Sequence, residues 1–112
     1  MQVVCDATGS VLPQVRLADN PWTRLRGLIG RPRLQRGEGL WITPCNSVHM
    51  FFMRQSIRAA YIAADGRVLR VVHLRPWRIG PLLRRARSVL ELPPDEDRIR
   101  EGDVVQLQRG PR

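Results

Sequence analysis

The chain has 112 residues, of which 43% are hydrophobic and 26% are charged. This composition is typical of one globular domain with a packed core and argues against bulk disorder. No apolar run approaches the roughly 20 residues that span a bilayer, and the first residues lack the basic start and apolar stretch of a signal peptide. We therefore expect a single domain over residues 1–112, located in the cytoplasm.

The net charge is +9, and it is unevenly distributed along the chain. Residues 39–90 contain nine arginines but only one acidic residue, Asp65, whereas residues 91–112 contain more acids than arginines. All nineteen basic residues are arginine, which excludes chemistry based on a lysine amine. A basic stretch of this kind attracts phosphates, anionic lipid or an acidic partner.

The first third of the chain predicts short strands and one helix. Residues 2–5 form a β-prone run, and a second strand over residues 11–17 is interrupted by Pro13, which confines it to a sheet edge or a bulge. Asn20 and Pro21 are typical of a helix start. Apolar residues at helical spacing then extend the predicted short helix to about residue 29.

The rest of the chain predicts strands separated by turns, at residues 40–43, 48–54, 57–63, 67–74, 88–92 and 104–107. Asp65 and Gly66 form a strong hairpin signal between two of these strands. Many short strands with frequent turns and one short helix predict a mainly β fold, a β-rich α+β domain. Its expected architecture is a small barrel or a curled sheet.

Residues 44–54 combine reactive and large apolar side chains, including Cys45, His49 and both phenylalanines. A cysteine with a histidine base can act as a nucleophile, so Cys45 and His49 are the candidate catalytic residues. On an extended strand, four residues span roughly 13 Å, which is too far to share a proton or a metal ion. A strand therefore favours a core position for His49 and a buried, inert Cys45.

The two cysteines, Cys5 and Cys45, are expected to be thiols, because disulfides are rare in chains without a secretory signal. Together with His49 and His73 they lack the ligand spacing of a structural zinc site. We therefore predict no metal and no cofactor.

Arg75, Trp77 and Arg78 form a candidate ligand-binding loop within a basic stretch. Residues 66–90 contain seven arginines and no acid. A tryptophan between arginines can be a stacking platform for nucleic acid, although aromatic residues are sparse here. The alternative is a solvated basic loop in which Trp77 plugs one end of the barrel.

Glu38 and Glu91 are candidate acid–base residues, because Asp65, the only acid between them, is assigned to the hairpin turn. In arginine-rich surroundings, ion pairing is the expected role for both carboxylates. Their spacing does not support a catalytic carboxylate pair.

Several short motifs occur in a specific order along the chain. They are RGLIGR at 26–31, GEGL at 37–40, PC at 44–45, SVH at 47–49, FMR at 52–54, DG at 65–66 and VLELP at 89–93. In this order and spacing, over about residues 12–108, the chain resembles the bacterial and archaeal family called domain of unknown function 192. The resemblance implies a compact, β-rich single domain, and it implies no reaction, because no activity is established for the family.

The chain departs from the family pattern beyond its Met-Arg pair. A proline and an aspartate are expected there, whereas this chain has Ser56 and Arg58. Met50 also stands where a small polar residue is common. Arg58 reverses the local charge, so a site built on the aspartate would be altered in this protein.

The charge distribution and the aromatic central segment predict a non-enzymatic binding or accessory domain for an anionic ligand or an acidic protein. The predicted ligand-binding residues form a basic rim and the floor of a cleft: Arg54, Arg75, Trp77, Arg78, His49 and Phe51. One alternative is a hydrolase or transferase that uses Cys45 and His49. Another is a structural interaction domain with an apolar patch around Trp22 or Trp41. Nucleic acid is a less supported partner.

Overall fold

The computed structural model describes residues 1–20, 33–48, 50, 53 and 55–109. These residues form eight strands and no helix: β1 (Gln2–Cys5), β2 (Val11–Leu12), β3 (Gln14–Ala18), β4 (Glu38–Ile42), β5 (Ile57–Ala63), β6 (Val68–Leu74), β7 (Ala86–Leu92) and β8 (Val105–Gln108). The mainly β prediction is confirmed. The predicted helix over residues 21–29 lies outside the described residues. The described ranges contain no helix that could cross a membrane.

The strands form two sheets and no closed barrel, so the barrel prediction is wrong. The smaller sheet has the order β2-β1-β8, and the larger has the order β3-β4-β7-β5-β6. Strands β3 and β4 are parallel, whereas the other neighbouring pairs are antiparallel. A barrel requires its two edge strands to pair, but β3 and β6 remain separate edges of the larger sheet.

Pro13 accounts for part of this arrangement. It separates β2, at the edge of the smaller sheet, from β3, at the edge of the larger sheet, which confirms the predicted edge position. Proline has no N–H, so a regular ladder cannot continue through it. Beyond it, the Val15 N–H donates to the carbonyl of Met1 at 2.9 Å. One stretch of chain therefore joins the two sheets without closing either.

The centre of the larger sheet is buried on both faces, as the alternation along β5 shows. Ala60 and Ile62 belong to an inter-sheet core, which they share with apolar residues of β1 and β8. Ala59 and Tyr61 belong to a second cluster on the opposite face, which we call the outer core. The outer core also contains Leu40, Ile42, Val48, Met50, Ile57, Leu74 and Val89.

The predicted hairpin joins β5 to β6, as expected. Gly66 has a φ of 91°, in the left-handed region that glycine adopts most readily. A Cβ at this position would lie 2.6 Å from the carbonyl oxygen of Val105. The Asp65 carboxylate accepts a hydrogen bond from the Arg67 N–H at 3.0 Å. The turn therefore requires Gly66, and Asp65 supports it with one hydrogen bond.

Between β6 and β7 the chain must cross one face of the larger sheet. Both strands run antiparallel to β5, which lies between them, so they run parallel to each other. Residues 75–85, which we call the crossing segment, therefore pass over β5 on the outer-core side. Gly80 lies on Tyr61 there, since a Cβ on Gly80 would be 2.8 Å from the Tyr61 hydroxyl.

The crossing segment pairs with the central segment of the chain. The Gly80 N–H donates to the Val48 carbonyl, the Met50 N–H donates to the Arg78 carbonyl, and the Trp77 N–H donates to the Met50 carbonyl, each at 2.7 Å. Val48 and Met50 are buried, whereas Ser47 is exposed. Backbone hydrogen bonds therefore join the two segments to each other, and the packing of Val48 and Met50 attaches them to the outer core.

The strand predicted over residues 48–54 is not found where the chain is described. Val48, Met50 and Met53 lie outside every strand. The partner of this segment contains Pro76 and Pro81, which have no N–H to donate, so a regular ladder cannot form. The other members of the predicted strand lie outside the described residues: His49, Phe51, Phe52 and Arg54.

A buried carboxylate, Glu96, fixes the loop between β7 and β8. It is fully buried, and its two oxygens accept hydrogen bonds from the Arg98 guanidinium at 2.8 Å each. The Gly37 N–H donates to the same carboxylate at 3.0 Å. The Arg58 guanidinium donates to the Glu96 carbonyl at 2.6 Å. The loop is thus connected to β5 and to the start of β4.

Candidate functional site

The predicted ligand-binding residues that the structure describes lie together at the start of the crossing segment. Arg75, Trp77 and Arg78 are all exposed. Trp77 is 59% exposed and has a φ of 67°, so the prediction that it plugs one end of a barrel is wrong. The other three predicted residues lie outside the described residues: His49, Phe51 and Arg54.

A basic cleft of about 400 Å³ opens where the crossing segment meets β7. Three of its lining residues, Arg84, Arg85 and Arg87, carry exposed side chains, and no acidic residue lines it. The described residues that line it are Pro44, Cys45, Asn46, Ala64, Arg84, Arg85, Ala86 and Arg87. The run of arginines without acids was visible in the sequence. Its position beside residues 44–46 was not, because the two segments are far apart in the chain.

Cys45 is half-buried at the side of this cleft. Its thiol donates to the Ser47 carbonyl at 3.0 Å, and its N–H donates to the Arg87 carbonyl at 2.8 Å. Neither Cys45 nor Cys5, which is buried in the inter-sheet core, forms a disulfide, so the thiol prediction is confirmed. The Cys45–His49 pair stays a prediction, because His49 lies outside the described residues.

Two other sequence-based candidates have structural positions in the described part of the chain. Trp41 is only 8% exposed and belongs to the inter-sheet core, so no apolar surface patch forms around it. Trp22, the other proposed centre of such a patch, lies outside the described residues. No group of three histidine, cysteine or acidic side chains within the described ranges could hold a metal ion.

Glu91 is a buried carboxyl group in the outer-core face of β7. It is 6% exposed, and its cross-strand neighbours are Leu40 on β4 and Ala59 on β5. Burial raises its pKa from 4.5 to about 7. Ion pairing was expected, but no described arginine pairs with Glu91. A carboxyl with a pKa near neutrality can exchange a proton at physiological pH.

Glu38, the second acidic candidate, has a local structural contact. One of its carboxylate oxygens accepts the Gln35 N–H at 2.6 Å. No ion pair with a described arginine is formed here either. The Glu38 carboxylate therefore closes the turn before β4. This contact is structural and gives no support to an acid–base role for Glu38.

Tyr61 connects the outer core to the crossing segment. Its side chain is fully buried, and its hydroxyl donates to the Pro81 carbonyl at 2.7 Å. Burial raises the pKa of Tyr61 to about 12; the neighbouring Cys45 and Glu91 act in the same direction, and the positive charge of Arg70 opposes them. The phenol therefore stays protonated and can act as a permanent hydrogen-bond donor to the segment above it.

Replacing Gly80 with alanine is expected to destabilise the protein by about 1–3 kcal/mol through overpacking. The added Cβ would lie 2.8 Å from the Tyr61 hydroxyl, 3.0 Å from Leu74 Cδ1 and 3.2 Å from the Val48 carbonyl. Urea unfolding of Gly80→Ala, Tyr61→Phe and the double variant measures the effect. Because Tyr61→Phe removes the nearest clashing atom, the double variant should be more stable than the sum of the single losses predicts. Strictly additive losses would contradict this explanation.

Comparisons with known proteins show both the family and the fold. The family model for domain of unknown function 192 (uncharacterized ACR) matches residues 3–107. A UPF0127 protein of Pyrococcus horikoshii is 36% identical over 86 residues, which are 71% of this chain and 72% of that protein. A UPF0127 protein of Thermococcus sibiricus is 32% identical over 85 residues, which are 71% of this chain but only 54% of that protein. The chain thus spans about half the length of the Thermococcus relative.

The fold is shared with a solved structure of low sequence identity. The crystal structure of a protein of unknown function from Novosphingobium aromaticivorans superposes with a TM-score of 0.78 and 20% identity. The match covers 96% of this chain and 84% of that chain. The family match confirms the resemblance that the motifs indicated. This chain therefore belongs to the uncharacterised domain of unknown function 192 family.

Proposed function

We propose that the protein is a non-enzymatic binding domain that recognises an anionic ligand through its basic cleft. The observation that carries the proposal is the convergence of Arg84, Arg85 and Arg87 on one cleft without an acidic residue in its lining. Guanidinium groups bind phosphate, sulfate and carboxylate oxygens in a bidentate manner. Uncompensated positive charge in a concave surface also attracts anions over longer distances.

Other features of the cleft support binding of a large anion. Arg75 and Arg78 are exposed on the same crossing segment and extend the positive charge away from the cleft. The volume of about 400 Å³ suits a small organic anion or one unit of a polymer. The cleft is formed by backbone segments that are hydrogen-bonded to each other, including the Leu83 N–H to the Asn46 carbonyl at 3.0 Å.

The other functional hypotheses have less support in the described residues. The Cys45 thiol lines the cleft and donates to the Ser47 carbonyl, and its proposed base, His49, lies outside the described residues. A hydrolase or transferase that uses Cys45 and His49 therefore stays a prediction. Nucleic acid is one member of the polyanion class that the proposal covers.

Binding of soluble polyanions, measured by fluorescence anisotropy over a range of salt concentrations, tests the proposal. The probes are a labelled single-stranded oligonucleotide and a sulfated glycan such as heparin. We expect binding that weakens linearly in a log–log plot against salt, since counterions are released on binding. The triple variant Arg84→Gln/Arg85→Gln/Arg87→Gln should bind at least about tenfold more weakly, and its salt slope should fall by about one per lost contact.

A variant with the same net charge provides the control. Arg16, Arg33 and Arg109 are exposed and lie outside the cleft lining. Their replacement by glutamine should change the affinity by less than about threefold, because only long-range attraction is reduced. Equal losses in the two triple variants, or no salt-dependent binding of either probe, would refute recognition by the cleft.

A further inference from the structure

The crossing segment exposes three large apolar side chains within six residues. Ile79 is 69% exposed, Leu82 is 61% exposed and Trp77 is 59% exposed. No other large hydrophobic side chain in the described ranges exceeds 42%. A cluster of apolar side chains on a solvent-exposed surface indicates a site of interaction.

Basic residues are interleaved with these apolar side chains. Arg75 and Arg78 are exposed next to Trp77, and Arg84 and Arg85 are exposed after Leu82. Residues 66–90 contain seven arginines and no acid. An alternation of tryptophan, aliphatic side chains and arginine is complementary to the interface of an anionic bilayer. The apolar groups enter the acyl boundary there, while the arginines contact phosphates.

The backbone of the crossing segment is fixed before any partner binds. Met50 exchanges hydrogen bonds with Trp77 and Arg78, and Gly80 donates to Val48. The Tyr61 hydroxyl, in the outer core, donates a hydrogen bond to the Pro81 carbonyl. The segment that carries the apolar side chains is thus already ordered in the folded protein. Binding is favoured because little further backbone entropy is lost.

The exposed area indicates a bilayer rather than a stable protein partner. Three side chains at these exposures present on the order of 400 Å² of surface, about half of the roughly 800 Å² per partner in a stable protein interface. Insertion into a bilayer needs no matching pocket, because lipid adapts to each side chain. Its strength follows the buried apolar area plus the attraction to anionic headgroups.

We propose that the crossing segment docks the domain onto an anionic membrane surface, with Trp77, Ile79 and Leu82 inserted at the headgroup boundary and Arg75 and Arg78 on lipid phosphates. The inference rests on the proposed function and names an anionic bilayer as the partner, because Arg84 and Arg85 of the cleft belong to the same crossing segment as Arg75 and Arg78. It adds an apolar contribution that recognition of a soluble anion does not require.

Flotation of the full chain with lipid vesicles tests the inference. The vesicles contain phosphatidylcholine alone or phosphatidylcholine with phosphatidylglycerol. We expect binding at low salt to the vesicles with phosphatidylglycerol and much weaker binding to neutral ones. The double variant Ile79→Ser/Leu82→Ser should partition at least about tenfold more weakly, because both aliphatic contacts are lost.

Leu17→Ser is the matched control, since Leu17 is a leucine exposed on β3, away from the crossing segment. It should bind vesicles like the unmodified protein, and thermal unfolding should show that all variants fold. Equal vesicle binding of the double variant and the unmodified protein would refute insertion while leaving anion recognition intact. If the protein bound a soluble polyanion but not the anionic vesicles, membrane docking would likewise be refuted and anion recognition would stand.

Discussion

Replacing Glu91 with glutamine is expected to stabilise the protein above about pH 7. Its effect on the free energy of unfolding should be roughly 3 kcal/mol more favourable there than below about pH 4.5. Glu91 is buried between apolar neighbours, and burial raises its pKa from 4.5 to about 7. Between these two values the folded protein binds a proton that the unfolded chain has lost. The folded state is therefore weakened as the pH rises through this range, and the full loss remains above it.

Urea unfolding of the unmodified protein and of Glu91→Gln over this pH range measures the effect. Asp95→Asn is the control, because Asp95 is an exposed carboxylate, and its effect on stability should change by less than about 0.5 kcal/mol over the range. An effect of Glu91→Gln that does not depend on pH would contradict a raised pKa.

Replacing Glu96 with glutamine is expected to destabilise the protein, in contrast to Glu91→Gln. The free energy of unfolding should fall by about 2–3 kcal/mol at neutral pH. Burial opposes the charge of Glu96, but hydrogen bonds from Arg98 and Gly37 outweigh it and hold the pKa below its ordinary value of 4.5. Glutamine cannot accept both guanidinium hydrogen bonds, since one of its terminal atoms is a donor. Solvent can hydrate the Arg98 side chain, which is 31% exposed, and this hydration limits the loss of stability.

The pH dependence provides an independent check on Glu96. A carboxylate with a lowered pKa contributes stability that is complete above the unfolded pKa, here 4.5, and is lost as the pH falls through the folded value. Chemical unfolding should therefore show a steeper acid loss in the unmodified protein than in Glu96→Gln. Asp97→Asn is the neighbouring control. Its 3.3 Å ion pair with Arg36 is exposed on both sides, so we expect less than about 1 kcal/mol.

Local sequence signals predicted most of the strands. The arrangement of the strands into sheets was not predicted, because it depends on pairing between distant segments. Residues 57–63 were predicted as a strand with the bounds that β5 has, and the Asp65-Gly66 turn follows it. Both depend on short-range rules, namely alternation and a left-handed turn. The division into two sheets and the parallel pairing of β3 with β4 depend on contacts between distant segments, so the barrel prediction was wrong. For the same reason the strand predicted over residues 11–17 is divided between the two sheets, and the one over residues 48–54 is not found in the described part of the chain.

The candidate site shows the same limit. Arginine content indicated a basic surface, but alternation could not show that Cys45 and Arg87 line one cleft. Glu91 was expected in an ion pair because arginine is abundant. The strand neighbours that surround it, Leu40 and Ala59, are instead apolar. Exposure of Ile79 and Leu82 contradicts the usual burial of aliphatic residues, which is why only a structure could indicate the proposed membrane contact.

The pairing of β1 with β8 has a consequence for how the chain folds during synthesis. Gln2 lies opposite Gln108, so the smaller sheet joins the first strand to the last. During synthesis β8 emerges long after β1, and until then the partner of β1 in the smaller sheet is β2 alone. A strand left with an open edge can pair with other chains. Slow translation or truncation ahead of β8 should therefore favour aggregation through the N-terminal strand.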